Sequence, residues 1–147
     1  MRLFLRFVIT KALIPALLSL LLVGCGGRRD VTPPTISSRA VEVPGSFSFE
    51  GGPVVISAKV TDAGGIAQVS ARITGPVGSG DPTTAAMTLT SGSTYSGEYT
   101  APENLREDGQ AETYSIVIVA RDTSGNTAES QPVTFQVPAP DMPSPPF

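Results

Sequence analysis

The sequence alternates between apolar and polar side chains at residues 54–61, which read Val-Val-Ile-Ser-Ala-Lys-Val-Thr. In an extended chain, successive side chains point to opposite faces, so the first, third, fifth and seventh of these residues share one apolar face. Residues 66–74 repeat the pattern, and residues 133, 135 and 137 carry it again as Val, Phe and Val. These segments predict β-strands with one buried face each.

Residues 114–120, Tyr-Ser-Ile-Val-Ile-Val-Ala, are apolar on both faces, which is typical of a central strand. Weaker patterns predict strands at 35–39, 40–43, 46–50, 86–90 and 94–100. Only residues 102–109 could form a helical turn. Short strands separated by turn residues, from a pool of 15 Gly and 14 Pro, predict an all-β protein. We expect one antiparallel β-sandwich of about seven strands.

The first 24 residues differ from the rest of the chain. Arg2, Arg6 and Lys11 are their only charges, and residues 12–23 are almost wholly apolar. A run of about twelve residues is too short for a membrane-spanning helix, which needs about 20. A basic start followed by a short apolar run predicts a helical secretory signal peptide over residues 1–24.

Leu22-Val23-Gly24-Cys25 ends this apolar run and resembles the lipobox of bacterial lipoproteins. The resemblance implies cleavage between Gly24 and Cys25, with acyl chains such as palmitate attached to Cys25. Two or three acyl chains anchor a protein stably, whereas one does so marginally. The resemblance therefore implies a protein held on a bacterial membrane. By the same resemblance, Gly26 implies the outer membrane where there is one, with the protein facing the periplasm or the cell surface.

The order of strands and turns over about residues 31–138 resembles the immunoglobulin-like and fibronectin type III-like modules of bacterial surface proteins. The resemblance is carried by residues 32–36, 60–66, 95–99 and 114–126. It implies that Tyr114 forms a tyrosine corner, a hydrogen bond from the hydroxyl to the backbone. Because the chain has no Trp and one Cys, Ala58 and Ile116 or Ile118 would fill the layer that a disulfide occupies in antibody domains.

The predicted organisation has four parts. A lipoprotein signal peptide covers residues 1–24, and a flexible tether covers residues 25–32. The immunoglobulin-like sandwich covers residues 33–138, and a proline-rich tail covers residues 139–147.

Composition excludes several kinds of chemistry. The chain has no His and one Cys, which removes His-dependent nucleophiles, His-containing zinc sites and an internal disulfide. Loss of residues 1–24 removes three of ten basic residues and none of the thirteen acidic ones, so the mature chain carries a charge of −6. This acidity disfavours nucleic acid as a partner.

We therefore expect that the protein is not an enzyme. The protein would bind a protein or glycan partner, or act as a spacer, while its lipid holds the membrane. The alternative is a structural or accessory subunit of an envelope complex, stabilised by calcium. Val55, Val117 and Val119 point away from the predicted inner face, so they mark either a partner site or a surface covered by other strands.

Two turns look alike, at residues 60–65 and 120–126, and each carries an Asp at its third position, after a strand. Asp62 and Asp122 could each cap their own turn. In a sandwich both turns lie at the end where the first strand begins, so Asp30 would join them. Three carboxylates with Asn126 would suit Ca²⁺, which takes oxygen ligands. Turn capping and a calcium site both remain open from the sequence.

Overall fold

A computed structural model describes residues 30–76 and 79–141 of the 147. Within these ranges the chain forms eight strands and no helix. The strands are β1 (Thr35–Glu42), β2 (Gly52–Thr61), β3 (Ile66–Thr74), β4 (Thr83–Ser91), β5 (Thr94–Ala101), β6 (Glu112–Asp122), β7 (Thr127–Glu129) and β8 (Val133–Val137). All strand pairs are antiparallel, so the predicted all-β antiparallel class is confirmed.

The strands form one curled sheet, a half-barrel, in the order β1-β2-β5-β4-β3-β6-β7, with β8 also paired to β6. A sandwich has two separate sheets, whereas here the strands are joined into one. The difference lies in β4, whose residues up to Met87 pair with β3 and whose residues from Thr88 pair with β5. A single strand therefore joins the two halves that the sequence pattern predicts as separate layers.

Gly97 of β5 explains how β4 crosses between the halves. A Cβ atom on Gly97 would lie 2.6 Å from the backbone oxygen of Ala86 and 3.1 Å from Met87 Cγ. Real Cβ atoms do not approach a carbonyl oxygen so closely, because their van der Waals surfaces would overlap. The missing side chain lets β4 pass close to β5 just where its pairing changes partner.

The core is built from alternate residues of strands that do not all pair with one another. Val54, Ile56, Ala58 and Val60 of β2 are at most 2% exposed, and Ile116 and Ile118 of β6 are fully buried in the same cluster. Ala58 and the two isoleucines thus occupy the core as expected. The rings of Tyr114 and Phe135 stack at 5.0 Å, and Tyr99 and Phe47 pack around Phe135.

Several predicted elements differ in detail. The segments 35–39 and 40–43 form one strand, β1, with a register shift where Ser38 takes a φ of 50°. Residues 46–50 form turns with an isolated bridge between Ser48 and Gly51. Residues 102–109 form a loop without a helical turn, and the short β7 is an additional strand.

The half-barrel has two ends, which the strand directions define. The first end carries residues 30–34 and the turns 62–65, 92–93 and 123–126. The far end carries residues 43–51, 79–82, 102–111 and 138–141. Because β1 runs from the first end to the far end, residues just before Thr35 and just after Glu42 lie at opposite ends of the molecule.

Candidate functional site

Three aspartates meet at the first end. One carboxylate oxygen from each of Asp30, Asp62 and Asp122 lies within 4.8 Å of the others. Asp62 follows β2, Asp122 ends β6, and Asp30 precedes β1. Thr123 ties the two turns together, since its hydroxyl donates to the Gly64 oxygen at 2.7 Å and its backbone nitrogen to the Gly65 oxygen at 3.0 Å.

Each aspartate also accepts a hydrogen bond from its own turn. Asp62 Oδ1 accepts from the Gly64 nitrogen at 2.7 Å, and Asp122 Oδ1 accepts from the Asn126 nitrogen at 2.8 Å. Asp30 Oδ1 accepts from the Thr32 nitrogen at 2.9 Å. These bonds confirm that Asp62 and Asp122 cap their turns.

Asn126 joins the cluster as a hydrogen-bond donor. Its Nδ2 lies 2.7 Å from Asp122 Oδ2, 3.1 Å from the Asp30 backbone oxygen and 3.3 Å from the Thr32 backbone oxygen. A calcium ligand would have to present an oxygen, whereas here the amide nitrogen faces the cluster. Asn126 instead fastens residues 30–32, which the sequence assigns to the tether, to the turn after β6.

The environment of Asp122 favours its charged form. The residue is 1% exposed, and burial alone would raise its pKa. Hydrogen bonds from the Asn126 side chain and from the backbone amides of residues 124–126 oppose burial and hold the pKa of Asp122 below its ordinary value. Asp122 is therefore negatively charged at neutral pH.

A cleft of about 280 Å³ opens beside Asp30 and Asp62, and it is also lined by Thr32, Pro33, Thr35, Thr61 and Ala63. Calcium binds oxygens at about 2.3–2.6 Å. The three oxygens lie within 4.8 Å of one another, so an ion between them would sit close to this distance range from each. Asp30 and Asp62 would be its ligands, and Asp122, which Asn126 already engages, would be the third.

Asn104 at the far end is a residue that the sequence pattern did not single out. It is 1% exposed, and its Nδ2 lies 2.9 Å from the Gln110 oxygen, 2.9 Å from the Pro138 oxygen and 3.3 Å from the Val137 oxygen. Its backbone nitrogen donates to the Phe49 oxygen at 2.7 Å. An Asn within a loop between strands is a general turn signal, and nothing local predicts contacts with residues 33 and 34 positions away.

Tyr114 lies near the start of β6 and is 3% exposed. Burial and the nearby charge of Glu112 raise the pKa of Tyr114 to about 12. Its hydroxyl donates to Glu112 Oε2 at 3.4 Å, and the described residues include no backbone acceptor for it. The structure therefore differs here from the tyrosine corner expected from the sequence.

The other predicted residues are dispersed or lie outside the described ranges. Gly24 and Cys25 fall outside them. Val55 belongs to β2, whereas Val117 and Val119 belong to β6, and these two strands do not pair. The three valines therefore do not form one patch. In residues 30–76 and 79–141, no helix is long and apolar enough to cross a membrane.

Comparison with known proteins gives no match, since no protein-family model fits the chain and no curated protein matches it.

Proposed function

We propose that the protein is a bacterial lipoprotein that presents an immunoglobulin-like domain for non-catalytic binding or spacing at the cell envelope. The observation that carries the proposal is the lipobox at residues 22–25, which ends five residues before Asp30. Asn126 fastens Asp30 to the fold. A lipid on Cys25 would therefore hold the first end of the half-barrel close to a membrane.

The strand order supports an immunoglobulin-like assignment for the half-barrel. In that fold the second strand pairs with the fifth and the third pairs with the sixth, across Greek-key connections. The pairs β2–β5 and β3–β6 follow this arrangement, with β1 beside β2 and with β7 and β8 beside β6. On this proposal β4 is the strand that bridges the two sheets of the sandwich.

The roles of the acidic side chains support binding rather than catalysis. At the first end Asp62 and Asp122 cap turns, and in the loop before β6 Asp108 pairs with Arg106. A carboxylate that acts as a general acid needs a raised pKa. The pKa values of Asp108 and Asp122 are both lowered, by Arg106 and by the amides around Asp122 respectively.

Membrane fractionation with mass analysis of the N-terminal peptide tests the proposal. The wild-type chain should sediment with membranes and yield an acylated peptide that begins at Cys25. The Cys25→Ala variant should lack the lipid, because the acyl acceptor is absent. A wild-type protein that is soluble, with an unmodified Cys25, would contradict the proposal.

A second candidate is a calcium-stabilised accessory subunit of an envelope complex, and the convergence of Asp30, Asp62 and Asp122 favours it. An ion that binds only the folded state raises the unfolding temperature. Millimolar calcium should therefore raise the midpoint of thermal unfolding relative to chelator in the wild type, and less so in Asp62→Asn. Equal midpoints with calcium and with chelator would rule out the ion.

For the accessory role, a pull-down from solubilised membranes should recover a stable partner.

A further inference from the structure

A shallow groove of about 310 Å³ lies near the far end, on the outer face of β1 and β2. Its floor is aliphatic, and it is formed by Val43, Pro44, Pro53 and Val55. Val43, just after β1, is 44% exposed, and Val55, on the outward face of β2, is 40% exposed. Glu42 and Glu98 complete the lining.

The strand register places the two glutamates on either side of Val55. Glu42 of β1 pairs directly with Val55, and Val55 pairs directly with Glu98 of β5. Residues paired across strands point to the same face of a sheet, and adjacent strands lie about 4.8 Å apart. The three residues thus form one row, in which the Cα atoms of the glutamates are about 10 Å apart.

Both glutamates are exposed, and neither is in an ion pair within the part of the chain described here. The ion pairs in that part join Arg72 to Glu129 and Arg106 to Asp108, away from the groove. Two like charges thus flank an apolar floor, and neither has a counter-ion among the described residues. A cation from outside the fold is the complementary partner.

The floor distinguishes an organic cation from a metal ion. Lys and Arg lay their aliphatic stems on apolar surfaces while the charged head stays near water or a carboxylate. An Arg head can bond two carboxylates because its donors point in several directions. A metal ion would use the carboxylates and leave Val43 and Val55 uncovered.

We propose that this groove binds a basic segment of a partner protein, with an Arg or Lys stem over Val55 and its head between Glu42 and Glu98. The proposal rests on the proposed binding function and gives that function the chemistry of its partner. Protein is favoured over a glycan because the groove offers aliphatic contacts and two carboxylates, with no aromatic side chain in its lining.

The chain's own Arg28 and Arg29 do not reach the groove. They directly precede Asp30, which is fastened at the first end by Asn126. The groove lies beyond the eight residues of β1, a distance of about 25 Å. Two residues and an arginine side chain span less than this distance.

Binding of degenerate heptapeptide pools to the full chain in detergent micelles tests the proposal. One pool carries Arg at the central position, and the matched pool carries uncharged citrulline there. The Arg pool should bind about tenfold more tightly, because a charge-assisted hydrogen bond contributes more than a neutral one. Equal affinities, or no binding of the Arg pool, would overturn the proposal.

Paired variants locate the site. Glu42→Gln with Glu98→Gln should weaken binding of the Arg pool about tenfold, and Val55→Thr should also weaken it by removing an apolar contact. The control is Glu103→Gln with Glu107→Gln, which makes the same charge change at exposed positions of the far end. An equal loss in the control would show a general charge effect and contradict the groove.

The peptide-binding test and the lipidation test can fail independently of each other. Binding is measured in micelles and is repeated with Cys25→Ala, so it does not depend on the anchor. Peptide binding with an unmodified Cys25 would remove the lipoprotein proposal and leave the groove. An acylated Cys25 without peptide binding would do the reverse. Thermal unfolding of each variant confirms that it is folded.

Discussion

At the scale of the residue, two asparagines fasten the segments that precede β1 and follow β8 to the fold. The side chain of Asn126 donates hydrogen bonds to the backbone oxygens of Asp30 and Thr32, just before β1. The side chain of Asn104 donates hydrogen bonds to the backbone oxygens of Val137 and Pro138, at the end of β8. Each side chain donates to carbonyl groups at or just beyond the end of a strand, and so holds these flanking residues to the fold without a disulfide.

Asn104→Ala should destabilise the protein by about 2–3 kcal/mol, because buried carbonyl groups lose their donor. Urea unfolding, followed by circular dichroism, measures the change. Glu103→Ala is the matched control, since Glu103 is an exposed neighbour and its replacement should change stability by less than about 0.5 kcal/mol. Equal stability of the two variants would mean that Asn104 does not fasten the C-terminal segment.

Tyr114 gives the protein a dependence on alkaline pH. Because its folded pKa is raised to about 12 from 10.0, the folded state holds a proton that the unfolded state releases. Its contribution to stability is therefore complete below about pH 10 and is lost as the pH rises toward 12. The free energy of unfolding, measured from pH 8 to 12, should fall across this window. Tyr114→Phe should reduce the fall, and an unchanged pH profile in that variant would contradict the assignment.

At the scale of the element, the alternation of apolar and polar residues is a local property of the sequence. It predicts those strands that bury one face along their whole length. The predicted strand at residues 66–74 has the same bounds as β3. Strand β4 illustrates what alternation cannot predict, since its change of partner depends on the contact between Gly97 and Ala86. Glycine in a strand has many causes, and the sequence does not show which backbone comes close to it.

The candidate site also has some features that the sequence predicts and others that it does not. The two similar Asp turns and the expected topology were enough to predict that Asp30, Asp62 and Asp122 meet. The orientation of the Asn126 amide was not predictable, because it is set by carbonyl groups 94 and 96 residues away. The groove beside Val55 depends on register across β1, β2 and β5, which the pattern within one strand does not contain.

Gly97→Ala should destabilise the half-barrel by about 1–3 kcal/mol, since the added methyl group forces β4 away from β5. Chemical denaturation measures this cost. Gly45→Ala is the control, because a Cβ there meets nothing within 4 Å and its φ is not in the left-handed region. The control should stay within about 0.5 kcal/mol of the wild type. A neutral Gly97→Ala would show that close approach is not what joins the two halves.

At the scale of the whole molecule, the direction of β1 and the position of the proposed lipobox distinguish the two ends. The chain from Cys25 to Asp30 spans at most about 18 Å. The ten residues of β2 run from the far end to the first end over about 33 Å. A lipid-anchored molecule would therefore keep its aspartate cluster near the membrane, and the groove beside Val55 could extend away from it.

Fluorescence quenching by lipids with spin-labelled headgroups tests this orientation. The proposed acylation would consume the single native Cys, so a cysteine introduced at Ala63 or Glu107 would be the only free thiol for a fluorophore. In proteoliposomes the label at residue 63, at the first end, should be quenched more strongly than the label at residue 107, at the far end, because the short tether limits only the first end. The same labels on the Cys25→Ala background, mixed with identical vesicles, give the unanchored baseline. Equal quenching at both positions would show that neither end is held closer to the membrane, and stronger quenching at residue 107 would show that the far end faces it. Either result would contradict the orientation.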